Sequence, residues 1–163
     1  MKEIPLTRGH VALVDDEDYG RASAFRWYAL TNSGVVYATR AYRDATEQKR
    51  MYLHHFVTGV DAATYIDHKN HNGLDCQKHN LRIATNQQNQ ANSRKQVGVS
   101  SQYKGVSWNK QKQRWKAAVW TTGKPIFLGW FKNEGDAARA YNEGAKTLFG
   151  EYSCANIIPE GVL

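Results

Sequence analysis

Residues 66–92 read IDHKNHNGLDCQKHNLRIATNQQNQAN, and the character of the chain follows from this stretch. Its first part, 67–80, is crowded with Asp, His, Asn and Gly, which is the composition of an ordered, turn-rich loop. A helix start follows at Thr85-Asn86-Gln87-Gln88, with Thr at the N-cap and Gln three residues on, so that two side chains satisfy backbone groups reciprocally. That helix is expected to run to about Asn92.

On the N-terminal side the chain reads as short strands. Val11–Val14 and Val35–Thr39 are β-branched or alternating runs, separated by Asp15-Asp16-Glu17-Asp18, read as an acidic turn, and by Asn32-Ser33-Gly34. Trp27 and Tyr28 are expected in the core of this layer. Met51–Val57 is a further apolar-rich segment, broken by Thr58-Gly59. On the C-terminal side SRKQVGVSS, 93–101, is small, polar and basic, and reads as a linker. The expected organisation is one domain over 1–93, a linker over 94–101 and a second domain over 102–163.

The second domain shows three aromatic and β-branched runs, Tyr103–Trp108, Trp115–Thr121 and Ile126–Phe131, divided by turns at 109–114 and 122–125. Asn133 is placed to cap a helix running to about Phe149. Ala137, Tyr141, Ala145 and Leu148 recur there at three- and four-residue spacing, and Gly150 ends it. The middle strand puts Trp115, Ala117 and Val119 on one face, suited to the helix, and Lys116, Ala118 and Trp120 on the other.

Composition excludes several classes. With 41% hydrophobic and 12% aromatic residues the chain has material for compact cores, unlike a disordered one. No run approaches the length of a membrane span, and the start lacks a signal peptide's apolar segment. Cys76 and Cys154 are too few and too far apart for a disulfide framework or a zinc site, so a cytoplasmic setting is expected.

The charge is distributed unevenly. Residues 1–93 hold 11 Lys/Arg against 10 Asp/Glu, whereas 94–163 hold 11 against 5, so the second part carries +6 of the net +7. Between Asp75 and Glu134 there is no acidic residue at all. A solvated surface normally interleaves both signs, so this run points to a polyanion, nucleic acid foremost.

His54-His55-Phe56-Val57, then IDHKNHNGLD, then HNLRIATNQQNQAN closely resembles the phage-type HNH homing endonuclease family, and LTRGHVALVDDEDYG with RWYA resembles the segment that precedes it, so the likeness covers about residues 3–93. It implies a ββα-metal nuclease that hydrolyses DNA with Mg²⁺ or Mn²⁺. By that resemblance Asp67 and Asn89 hold the metal, His68 activates water, and Asn80 orients the loop or the histidine. The chemistry agrees. Neutral imidazole is suited to take a proton near neutral pH, and a hard divalent cation with oxygen ligands neutralises the charge built up at the phosphate. Singly, each residue has a plainer reading: Asn80 capping its own turn, Asn89 facing solvent, Asp67 in a turn, His68 on the surface. The joint spacing carries the reading. For His54 two roles stay open, approach to the scissile phosphate or packing. His71 and His79 read as loop residues, and Cys76 as a thiol without a partner. Asn in the last position of the motif fits a single-metal member and argues against a zinc-like site.

Tyr103-Lys104-Gly105-Val106, Trp115-Lys116-Ala117, Leu128-Gly129-Trp130-Phe131 and Ala137-Ala138-Arg139-Ala140-Tyr141 resemble the apetala-type, ethylene-response-factor DNA-binding domain of plant transcription factors, over about residues 101–157. The resemblance implies a three-stranded sheet laid in the major groove, where base edges are distinguishable. Trp108, Trp120 and Phe127 are candidates for apolar or stacking contacts, and Lys104, Arg114, Lys116 and Lys124 for phosphate or guanine. Asn109 and Trp120, with Ser107, replace groove-reading arginines of the plant pattern, so its site preference is not carried over.

The expected architecture is α+β: a β-rich segment feeding the nuclease, then a three-stranded antiparallel sheet on one helix. The expected partner is double-stranded DNA, met by a monomer, with no membrane and no protein partner implied. A non-catalytic DNA-binding regulator and an RNA-directed nuclease are the alternatives.

Overall fold

Residues 1–95 and 100–159 are described in the computed structural model of the chain. They divide into two units, Met1–Thr85 and Asn86–Leu163. The central residues of the expected linker, 96–99, lie outside the described residues.

In the first unit β1 (Lys2–Pro5) pairs antiparallel with β2 (Val11–Val14). The acidic stretch that follows is not a turn but the start of α1 (Asp16–Ser23). Three carboxylates in a first helical turn meet the positive end of the helix dipole, so the acidic run favours a helix there. Asp15 turns instead to the later loop and accepts hydrogen bonds from the Lys78 backbone N–H (2.8 Å) and from Gln77 Nε2 (3.4 Å). Glu17 and Asp18 pair with the Lys78 ammonium. The acidic segment thus fixes one shoulder of the 69–80 loop.

A three-stranded sheet follows, β3 (Tyr28–Asn32), β4 (Val35–Arg43) and β5 (Gln48–Tyr52), in the order β3-β4-β5. Ser33-Gly34 makes the tight first turn expected from the sequence. Trp27 is 1% exposed and donates its indole N–H to the Ala22 carbonyl (2.9 Å), so burial leaves no unsatisfied donor. Tyr28 departs from expectation: it is 42% exposed, because the strand begins at that residue with its side chain opposite Trp27. The Met51–Val57 segment divides between the end of β5 and a short helix, α2 (Leu53–Thr58), which stops at Gly59. His54 therefore sits on a helix. A hairpin completes the unit, β6 (Tyr65–His68) with β7 (Leu81–Ala84), pairing Asp67 with Arg82 and His68 with Leu81. Ile4, Val14, Trp27, Leu53, Cys76 and Leu81 belong to one core.

The second unit begins with α3 (Asn86–Asn92), so the helix that would complete a ββα arrangement groups with this unit while its hairpin belongs to the first. The sheet β8 (Val106–Asn109), β9 (Arg114–Thr121) and β10 (Lys124–Phe131) is antiparallel, in the order β10-β9-β8, and α4 (Glu134–Phe149) packs on it. Ala137 and Ala138 (both 0% exposed) and Ala145 (1%) let the helix lie close to the strands. Leu148, expected on that face, is exposed. Tyr103 is buried but precedes the strand, which starts at Val106. Gly105 explains the delay: its φ is +72°, and a Cβ there would stand 2.0 Å from the Tyr141 ring. Asn156 then clamps the end of the chain. Its side chain exchanges two hydrogen bonds with the Lys104 backbone, and its own backbone exchanges two with the Asn142 side chain.

Candidate active site and nucleic-acid interface

The β6–β7 hairpin brings Asp67 and His68 to the mouth of the 69–80 loop. Asp67 is 3% exposed and its Oδ2 accepts from Arg82 Nε (2.8 Å) and Nη2 (2.7 Å), so a buried carboxylate is balanced by a guanidinium across the ladder. Asn80, also buried, organises the loop: its Oδ1 accepts from the Asn70 backbone N–H (3.0 Å) and its Nδ2 donates to the Asp75 carbonyl (2.8 Å). Asn70 Nδ2 donates in turn to Asp75 Oδ2 (2.7 Å). The density of Asn and Asp is therefore what holds this segment in one conformation.

His68 is held in a box of rings. Its centroid lies 5.0 Å from His54 and 5.9 Å from Tyr37, both edge-on, while His54 stacks on Tyr52 at 5.2 Å. Burial lowers the His68 pKa to about 4, with Asp67 and Asp75 opposing the shift, and burial with the neighbouring His68 and His55 lowers that of His54 to about 2. Both imidazoles are neutral at neutral pH. Tyr37 is pushed upward by burial and by Tyr52 and Asp67. His54 is thus packed against the candidate base. Tyr37 and Tyr52 were not singled out in the sequence, where nothing distinguishes them from other strand tyrosines. Cys76 is fully buried, and burial with Asp75 raises its thiol pKa. It is not isolated: His54, His68 and Cys76 each bring one ligand atom within 4.8 Å of the others.

For the metal ion that the HNH resemblance implies, Asp67 offers a hard carboxylate oxygen next in sequence to the candidate base. Asn89 is half-buried on α3, in the second unit.

In the second unit the ladder separates two faces. Lys116 pairs with Ser107 and Trp130, Ala118 with Phe127, Trp120 with Pro125, and Asn109 with Arg114, so these residues share the face away from α4. Trp120 is 67% exposed and Phe127 50% exposed, and Lys124 stands exposed at the hairpin end. Trp130 joins them: its ring lies 5.4 Å from Phe127 and carries Lys112 Nζ at 4.9 Å. Two expected contacts lie elsewhere. Trp108 pairs with Trp115, ring to ring at 5.0 Å, on the helix side of the sheet. Lys104 Nζ donates to the carbonyls of Ala91 (2.6 Å), Ser93 (2.6 Å) and Gln90 (3.2 Å), closing the C-terminal end of α3, and its burial lowers the ammonium pKa.

The chain is 32% identical over 157 residues to an uncharacterised HNH endonuclease of Acanthamoeba polyphaga mimivirus, a match covering 93% of this chain and 77% of that one. The chain belongs to the HNH endonuclease family. A 59-residue stretch, 36% of the chain, is 37% identical to an AP2-like ethylene-responsive transcription factor of Arabidopsis thaliana, of which it spans 12%. Protein 3.8 of Escherichia phage T7 is 37% identical over 60 residues, 37% of this chain and 50% of that protein. No family model and no solved structure matches the chain. No helix among the described residues is long and apolar enough to cross a membrane.

Proposed function

We propose that the chain hydrolyses phosphodiester bonds of double-stranded DNA with Mg²⁺ or Mn²⁺, with a nuclease domain over 1–93, a linker over 94–101 and an apetala-type DNA-binding domain over 102–163. The observation that carries this reading is the neutral, caged imidazole of His68, next in sequence to the buried carboxylate of Asp67. His68 takes the proton from the attacking water, and the rings of Tyr37 and His54 fix its orientation. Asp67, with Asn89 as a second oxygen ligand, holds the metal. When bound, that ion supplies charge neutralisation at the phosphate and at the leaving 3′-oxygen. Asn80 keeps the loop beside His68 in shape, a positioning role.

On the second unit, Arg114, Lys116 and Lys124 meet phosphate or guanine, and Trp120, Phe127 and Asn109 meet base edges or sugar, with Trp130 extending the same apolar strip. The protein works as a monomer in the cytoplasm of a bacterial or phage-infected cell. A supercoiled-plasmid nicking assay without metal, with Mg²⁺ and with Mn²⁺, beside an RNA substrate, tests the proposal. Metal-dependent nicking of DNA alone supports it. Cleavage confined to RNA, or none with either metal, overturns it.

A further inference from the structure

We propose that His54, His68 and Cys76 form a binding site for a borderline-soft divalent cation of the Zn²⁺ class, separate in donor chemistry from the oxygen site assigned to Mg²⁺. Two imidazoles and a thiol are the donors such an ion prefers, and Mg²⁺ is not competitive for them. The geometry lies within reach of coordination. Zinc–nitrogen and zinc–sulfur bonds of about 2.0–2.3 Å place tetrahedral ligand atoms roughly 3.3–3.8 Å apart. The three atoms here already lie within 4.8 Å of one another, about 1 Å outside that range.

Two further observations point to a ligand. His54 is 8% exposed and its Nδ1 is buried with no hydrogen-bond partner among the described residues, an arrangement that a cation would satisfy. Cys76 is 0% exposed, and its sulfur approaches the Gly73 carbonyl at 4.0 Å, too long to occupy it. Asp67 and Asp75, both buried, act on the His68 ring and bias the pocket toward positive charge. Coordination replaces the thiol proton, which leaves to solvent as the sulfur–metal bond forms. Three protein ligands leave a fourth position for water or a phosphate oxygen.

The consequence is regulatory, and it rests on His68 being the base: an ion that takes the His68 nitrogen blocks proton transfer, so Zn²⁺ inhibits the same site that Mg²⁺ activates. The test is a Co²⁺ titration of the full-length, metal-free protein, read by the near-ultraviolet thiolate-to-cobalt charge-transfer band, with Zn²⁺ displacing the Co²⁺. One ion per chain is expected. Cys76→Ser should lose the band, and Cys154→Ser should keep it. His54→Gln should weaken Zn²⁺ binding by more than about tenfold, since even outer partners of a ligand are worth about 10–100-fold. Should Cys76→Ser fail to fold, the parent spectrum and His54→Gln decide. A band that survives Cys76→Ser, a band that vanishes with Cys154→Ser, or no thiolate band at all overturns the site. In a parallel nicking assay, one equivalent of Zn²⁺ should slow Mg²⁺-dependent cleavage, and a zinc chelator should restore it. Unchanged nicking at full occupancy overturns the inhibition. If the parent never nicks, the nuclease reading falls while the Co²⁺ spectrum still decides the site.

Discussion

The two units of the molecule present their polar chemistry in opposite ways. In the first, Asp67, His68, Asn80 and His54 are all buried, each fixed by a hydrogen bond, an ion pair or a ring contact. In the second, the aromatic and cationic groups of interest stand on the open face of a sheet, with Trp120 67% exposed. A reacting group gains from a dry, rigid cage because preorganised groups need no reorganisation at the moment of reaction. A surface that must fit a long polyanion gains from display and from uncompensated charge. On the proposed function, the buried group suits cutting and the displayed face suits holding DNA.

The largest expected effect is on the buried side. Asp67→Asn should reduce cleavage by at least the order of 10²–10⁴ that loss of a single positioned group produces, and should weaken Mg²⁺ binding, as read by single-turnover nicking and calorimetry. The amide is chosen over alanine because Arg82 is only 11% exposed, and Asn, though neutral, keeps an acceptor oxygen facing its guanidinium. Unchanged metal affinity would move the oxygen site elsewhere.

Next comes the packing of the second unit. Gly105→Ala forces a Cβ into the Tyr141 ring at a positive φ, so the second unit should lose about 2–3 kcal/mol. Amide hydrogen exchange, resolved by unit, should show the loss in β8–β10 and α4 and leave β6–β7 protected. Equal loss in both would show that the units do not unfold separately.

Two lysines then sharpen the contrast. Lys116→Ala should lower the slope of log K against log salt by about 0.9, one phosphate contact. Lys104→Ala should leave that slope unchanged and cost about 1–2 kcal/mol of stability, because its ammonium caps α3. A slope that falls with Lys104→Ala would return that residue to the DNA surface.

A further expected effect is on acid stability. His54 and His68 hold a proton less tightly folded than unfolded. Their contribution is therefore whole above the unfolded value of about 6.5 and is lost as pH falls from there toward about 4 for His68 and lower still for His54. In chelator-treated protein, denaturant midpoints of the first unit should drop across that window. A midpoint that rises on acidification would contradict the burial of the two rings.

Much of this was legible in the sequence, for local reasons. The alternation of Trp115–Trp120 sorted β9 into its two faces correctly, because a strand's period of two is set by its own backbone. The small-residue face of α4 was equally plain in Ala137, Tyr141 and Ala145. What stayed hidden depends on contacts between distant segments. Trp130 escaped because a bulge between Phe127 and Gly129 shifts the register, so Phe127 and Trp130 share a face although three residues apart. Lys104 read as a free cation because its carbonyl partners come from another element. Trp108 reads as groove-facing until its partner in the ladder is known to be Trp115. Cys76 looked solitary because His54 and His68 reach it only through α2 and the hairpin, and the acidic run 15–18 read as a turn because its partners at Gln77 and Lys78 lie some sixty residues away.

One crossed measurement tests most directly whether the His68 base and the cationic face of the β8–β10 sheet act independently, as the proposed function requires. Duplex affinity and the nicking rate at saturating DNA are measured with Mg²⁺ for the parent, for His68→Ala and for the double variant Arg114→Ala with Lys116→Ala. His68→Ala should lose on the order of 10²–10⁴ in rate with affinity nearly unchanged, and the double variant should lose affinity and salt dependence with its saturated rate nearly unchanged. Loss of both quantities in both variants, or a His68→Ala protein that cuts within about threefold of the parent, would contradict the account.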